Sequence, residues 1–174
     1  DTSLQSGGFL RNKLDNGAFL IWKEATSFST PANNAYTADQ WRVGYNGTIG
    51  AFTVSRQAQT FGQTVIPGNP KFFLRWDHTS AGSGSTASYL YAVIENVETL
   101  AGLPFALSFW ASADSSRSVG LSLIQEFGSG GSSAVTTTPL IGATASLTTT
   151  VQRFTAYGNV PSVTGLTAGT DHNL

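Results

Sequence analysis

The most constraining feature of this sequence is a repeated alternation of apolar and polar residues with a period of two. In Phe105-Ala-Leu-Ser-Phe-Trp-Ala, Phe105, Leu107 and Phe109 alternate with Ala106, Ser108 and Trp110. Successive side chains on a strand point to opposite faces, so this run reads as a strand with one buried face. Lys71 to His78 repeats the pattern, with Phe72, Leu74 and Trp76 on one face and Phe73, Arg75 and Asp77 on the other. Ser88 to Glu95 places Tyr89, Tyr91 and Val93 together, and Val119, Leu121 and Leu123 form another such set. A further strand is expected within residues 145–157, around Val151 to Ala156. Asn46-Gly47 is a hairpin turn signal, so residues 37–57 read as a β-hairpin. Asn16-Gly17 precedes Ala18-Phe-Leu-Ile-Trp22, which reads as a short buried strand. No stretch of about 12 residues carries a helical period, and Asn96 to Leu100 makes one turn at most. The chain is therefore expected to be all-β, a β-sandwich or jelly roll of about eight to ten antiparallel strands with little or no helix.

Segments without a period fall between these runs. Residues 1–15 are polar and read as a linker or a docking tail, leaving 16–174 as one jelly-roll domain. Residues 23–36, 58–70, 79–86 and 128–138 read as loops, the third as flexible and the last as a Gly/Ser/Thr-rich spacer. Asp171-His172-Asn173-Leu174 resembles the beginning of a strand. With Asp at position 1 and no Met anywhere, the chain is expected to be part of a longer one.

Composition narrows the function. Charged residues make up only 11% of the chain, against about 25% in ordinary globular domains. A net charge of -1 disfavours nucleic acid, which calls for clustered Lys and Arg, and disfavours an anionic membrane surface. No apolar run reaches the length of a membrane-spanning helix. The absence of cysteine excludes disulfides and cysteine-based zinc sites. The low-charge surface suits neutral polar partners such as sugars or neighbouring subunits.

Groups suited to catalysis are thin. The histidines are His78 and His172. His78 and Asp77 are adjacent on a strand and point to opposite faces, so they form no dyad. Glycoside hydrolysis needs two opposed carboxylates. Asp77, Glu95, Glu98, Asp114 and Glu126 qualify by type, and no spacing selects a pair. The glycines at 128–131 do not sit between a strand and a helix, as a phosphate loop would. The chain is expected to be non-enzymatic. No cofactor is implied beyond a structural Ca²⁺, for which Asp15, Asn16 and Asp171 supply oxygen ligands if the chain ends pair. Asn46-Gly47-Thr48 matches a glycosylation sequon and reads as a turn.

Sugar recognition draws on flat aromatic faces and neutral or planar hydrogen-bonding groups. Trp22 and Trp76 read as core by their apolar neighbours. Trp110 opposes the Phe105/Leu107/Phe109 face, and Tyr89 and Tyr91 share a face beside a loop. The candidate carbohydrate-binding set is Tyr89, Tyr91, Trp110, Arg75, Asp77 and His78.

Several segments, in order, resemble a known group of proteins. They are Asn16-Gly-Ala-Phe19…Trp22…Thr26-Ser-Phe28 and Tyr36-Thr-Ala-Asp39-Gln-Trp41, then Val54-Ser-Arg56-Gln57 and Pro67-Gly68…Pro70-Lys-Phe-Phe-Leu-Arg-Trp76-Asp77. Ile94-Glu-Asn-Val-Glu-Thr-Leu-Ala-Gly102, Leu107-Ser-Phe-Trp-Ala111 and Thr150-Val-Gln-Arg-Phe-Thr155 follow. Together, over about residues 14–174, they resemble bacteriophage tail-fibre and virion proteins. The second half is similar to carbohydrate-binding modules of the galactose-binding jelly-roll type. Glu24-Ala25, Val151 and Ala92-Val93 depart from that pattern, the last standing where a Gln near the sugar is usual. The resemblance implies a virion component (tail fibre, tail or capsid-associated) that attaches to host-surface glycan or packs on other virion subunits, as a homo-oligomer such as a trimer. It also allows an accessory carbohydrate-binding module of a polysaccharide-degrading enzyme.

Overall fold

A computed structural model describes residues 12–136 and 140–174, apart from the side chains of Ser85, Thr86 and Thr136. The expected tail at 1–15 lies mostly outside these residues. The described chain is all-β. Its strands are β1 (Ser27–Ser29), β2 (Trp41–Thr48), β3 (Phe52–Ala58), β4 (Phe72–His78), β5 (Ser83–Ala92) and β6 (Pro104–Ala111). They continue with β7 (Arg117–Gly120), β8 (Ile124–Gln125), β9 (Val135–Thr136), β10 (Thr144–Leu147) and β11 (Gln152–Asn159). Every strand pairing is antiparallel. The chain divides into two compact units, Asp1–Val93 and Ile94–Leu174.

In the first unit a three-stranded sheet, in the order β1-β3-β4, accompanies the two-stranded sheet β2-β5. Val43 of β2 and Phe52 and Val54 of β3 are buried together with Ile49. Trp22, Tyr45, Leu74, Trp76 and Leu90 pack against them. The two sheets thus bury one face each against the other, which is a small sandwich. Phe52 stacks on Trp76 at 5.0 Å between ring centroids and meets Tyr45 edge-on at 5.9 Å. Trp22 and Trp76 take the core places that their apolar neighbours suggested.

Three local expectations are corrected. Residues 37–57 are not a hairpin, because β2 pairs with β5 while β3 pairs with β1 and β4. Asn46-Gly47 lies inside β2, where the register shifts against β5, and Gly47 takes φ 73 to absorb that irregularity. Ala18–Trp22 is not a strand. Phe19 packs on Trp41 at 5.2 Å and Trp22 on Phe28 at 6.1 Å, leaving Leu20 and Ile21 exposed. The supposed flexible loop at 79–86 contributes its last residues to β5, which begins at Ser83.

Asn16 explains why the opening segment is ordered without being a strand. Its side-chain Nδ2 donates to the carbonyls of Ile21 (2.9 Å) and Asp39 (2.8 Å), and its Oδ1 accepts from the Ile21 amide (3.0 Å). The Trp22 indole N–H donates to the Phe19 carbonyl at 2.9 Å. Asn16, Phe19, Trp22, Phe28, Asp39 and Trp41 are thus tied together by these hydrogen bonds and ring contacts.

In the second unit the sheets are three pairs, β6-β11, β7-β10 and β8-β9. The longest is β6-β11, in register from Pro104↔Asn159 to Ala111↔Gln152. Phe105, Leu107 and Phe109 are half-buried and alternate with exposed Ala106, Ser108 and Trp110, as the period predicts. Val97, Phe127, Ala145, Ala156, Val160 and Leu174 are buried. Residues 145–157 form parts of two strands, because the chain bends at Thr149-Thr150 between β10 and β11. The segment at 171–174 is strand-like. Asn173 bridges Glu95 and Glu126, and the Leu174 and Ile94 backbones exchange hydrogen bonds of 2.8 Å in both directions.

The glycines at 128–131 are not a spacer. Ser129 bridges Thr170. A Cβ on Gly128 would overlap the Thr170 carbonyl, one on Gly131 the Phe127 carbonyl, and one on Gly169 the Ser129 carbonyl. Two backbone segments touch here at a distance that leaves no room for side chains.

Candidate functional site

Of the six residues expected to bind carbohydrate, Arg75, Asp77 and His78 lie on β4, Tyr89 and Tyr91 on β5, and Trp110 on β6. Arg75 and Asp77 project from the exposed face of β4 and pair with each other at 2.7 Å. His78 lies on the other face of that strand. Its Nε2 accepts from the Trp76 indole N–H at 3.0 Å, and its ring stacks on Trp76 at 5.8 Å. His78 therefore extends the Phe52–Trp76 stack. Trp110 belongs to the second unit. Of the calcium candidates, Asn16 spends its whole amide on backbone groups. Asp15 is exposed beside it, and Asp171 is exposed in the second unit. Among the described residues no three His, Cys, Asp or Glu side chains gather as a metal cluster would require.

Tyr89 and Tyr91 do come together. Leu90 between them packs into the core, so both rings lie on the outer face of β2-β5. Their centroids are 5.7 Å apart at an interplanar angle of 49°. The register sets their partners, with Tyr91 opposite Arg42 and Tyr89 opposite Gly44. Gly44 is buried, and a Cβ there would overlap the Tyr89 ring. The missing side chain is what lets Tyr89 lie down across β2 while remaining 44% exposed.

Tyr36 extends this face. It bridges Arg42 from the far side of β2, so Tyr36, Arg42 and Tyr91 form one row across three segments of backbone. The Arg42 guanidinium sits 4.1 Å from the Tyr36 ring centroid, and its Nη2 donates to the Tyr36 hydroxyl. The Tyr91 hydroxyl donates to Asn34 Oδ1 at 3.1 Å. Burial opposes the Arg42 charge, but hydrogen bonds and charge interactions with Tyr36 and Tyr91 outweigh it and raise the guanidinium's pKa above its ordinary value. None of the ion pairs among the described residues involves Arg42. The guanidinium works as a brace for tyrosines.

This arrangement offers two exposed tyrosine faces, Tyr36 and Tyr89, with Asn34 and the phenol hydroxyls beside them. Flat rings give a surface for sugar C–H groups, and the amide and hydroxyls suit sugar hydroxyls. It has no nucleophile placed against a base and no opposed carboxylate pair. Tyr36, Arg42, Asn34 and Gly44 were not among the residues expected. The sequence signal for Arg42 and Gly44, their alternation with Val43 and Tyr45, acquires meaning only once β5 is known to be the partner strand.

Set against protein families, curated proteins and solved structures, the chain matches none of them.

Proposed function

We propose that this chain is a non-enzymatic binding module of a virion, a tail-fibre, tail or capsid-associated part, that takes neutral glycan on the outer face of β2-β5. The observation that carries the glycan reading is the Tyr89–Tyr91 pair, held open on a sheet face by Gly44 and Arg42. The virion setting is supported by the order of the resembling segments, and by them alone. No cofactor enters this reading. A homo-oligomer such as a trimer, seated among other virion subunits, is the assembly that goes with it. The test is a glycan array of bacterial surface polysaccharides probed at high protein concentration, followed by the same array with Tyr89→Ala. Binding that disappears in the variant supports the reading, and silence of the unaltered chain across the array overturns it.

Subunit packing is the second reading, favoured by the fully exposed Phe61 and the largely exposed Val65 in the loop before β4. Apolar side chains left in solvent on a low-charge surface suit a protein neighbour. Size-exclusion chromatography separates the readings: a stable oligomer that Phe61→Ser converts to monomer supports packing, and a monomer at every concentration opposes it. An accessory carbohydrate-binding module of a polysaccharide-degrading enzyme would use the same tyrosine face.

A further inference from the structure

The outer face of β6-β11 carries a second arrangement of aromatic, cationic and small side chains. Its positions are Pro104, Ala106, Ser108 and Trp110 on β6 and Arg153, Thr155, Tyr157 and Asn159 on β11, all exposed. The register sets Trp110 opposite Arg153, Ser108 opposite Thr155 and Ala106 opposite Tyr157. Trp110 is 36% and Tyr157 49% exposed. They mark the two ends of a row four residues long, about 13 Å at roughly 3.3 Å per residue. Between them lie the hydroxyls of Ser108 and Thr155, with the Arg153 guanidinium reaching to Ser108. A row of that length exceeds one sugar ring and suits a short oligosaccharide lying along the strands.

The charge on this face decides the kind of saccharide. Neither strand contains an acidic residue. Arg153 Nη2 donates to Ser108 Oγ at 3.0 Å, and Arg153 takes part in none of the ion pairs among the described residues. An exposed guanidinium with donors to spare and no carboxylate at ion-pair distance among the described residues is complementary to an anionic group, and its planar fork matches a carboxylate in two-point contact. We propose that the outer face of β6-β11 is a second saccharide site, specific for acidic oligosaccharides, with Trp110 and Tyr157 as stacking platforms and Arg153 as the carboxylate contact. This site lies within the second unit, and the proposal does not rest on the tyrosine face of the first.

The experiment is an NMR titration of the intact chain, following the Trp110 indole and Arg153 side-chain resonances. The probes are trigalacturonate, trimannuronate and a glucuronate-containing hyaluronan fragment, with fully methyl-esterified trigalacturonate as the neutral control. At least one acidic probe is expected to move both resonances and to bind more tightly than the ester. Arg153→Gln, an exposed change that leaves the core untouched, is expected to cost about tenfold in affinity for that acid and to remove the preference over the ester. Trp110→Ala is expected to weaken acid and ester alike. Silence of Trp110 toward all three acids at tens of millimolar overturns the proposal, as does an Arg153→Gln variant that binds acid unchanged. Tyr89→Ala should leave this titration as it was, so failure here and failure of the first-unit site are told apart.

Discussion

Each unit presents a two-stranded ribbon whose outer face sets an arginine opposite an aromatic ring, and a second ring opposite a residue with little or no side chain. In the first unit the pairs are Arg42↔Tyr91 and Gly44↔Tyr89. In the second they are Arg153↔Trp110 and Ala106↔Tyr157. The same ingredients lead to different chemistry because the arginines are differently engaged. Arg42 lies against Tyr36 and bonds its hydroxyl, so it orders the rings around it. Among the described residues, Arg153 hydrogen-bonds a serine hydroxyl and enters no ion pair, and it stays exposed. Spacing differs as well. The first unit's rings are two residues apart on one strand and tilt against each other, whereas the second unit's rings are four residues apart in register. What a guanidinium offers a ligand thus depends less on its presence than on how many of its donors the fold has already used.

The widest separation between the faces should come from the core beneath one of them. Phe52 is 1% exposed and stacks on Trp76. Phe52→Ala should cost about 3–5 kcal/mol, read as faster amide exchange in β2, β3 and β5 and loss of glycan binding at Tyr89. Amides of β6 and β11 keeping their protection would mark the two faces as separately supported, and equal loss in both would break the comparison. Next in size is Gly44→Ala. The added methyl overlaps only the far end of the Tyr89 side chain, which can swing away, so stability should fall by less than about 1 kcal/mol. Neutral-glycan affinity should nonetheless drop about tenfold as the ring lifts. A large loss of stability with unchanged affinity would show that the ring's seat is not what matters.

A smaller effect should appear with salt. Raising ionic strength from about 0.01 to 0.1 M shortens the screening length from about 30 to 10 Å. Acidic-saccharide binding at Arg153 should weaken severalfold over that range, while neutral-glycan binding at Tyr89 stays level, as titrations at each salt concentration would show. The smallest effect concerns Asp114. Its hydrogen bond with the Arg117 guanidinium lowers its pKa below the ordinary carboxylate value. A depressed folded-state pKa stabilises at pH above the unfolded value, and the contribution fades as pH falls through the lowered one. Both side chains are largely exposed, so Asp114→Asn should barely change the melting temperature at neutral pH and less still in strong acid.

The strands themselves were largely legible. Period-two alternation located β4 and β6 almost to the residue because each buries one face, and half-burial is what alternation records. Pairing was not legible. Asn46-Gly47 carries a hairpin signal, yet the chain crosses to the other sheet after β2, and the partner strand β5 begins 35 residues after β2 ends. Local turn chemistry was overridden by burial of Val43 and Phe52 on facing sheets. The site inherits this difficulty. Tyr89 and Tyr91 stand out as neighbours on one strand, whereas Arg42 and Gly44 join them only through a nonlocal register. Apolar runs misled in a second way at Ala18–Trp22, where two rings are anchored and the residues between them face solvent.

The backbone contact at Gly128, Gly131 and Gly169 also bears on how this protein can be altered. To someone planning to insert a tag or graft a loop, the Gly/Ser-rich stretch at 128–133 looks like spare cord, yet a single methyl group on Gly128 would meet the Thr170 carbonyl and force the two chain segments apart. The permissive address is the loop between β3 and β4, where Gly62 and Gly68 have open space around them. Cargo carried at that loop is expected to leave both ribbons and their rings unchanged, as unaltered amide exchange in β2, β5, β6 and β11 would show.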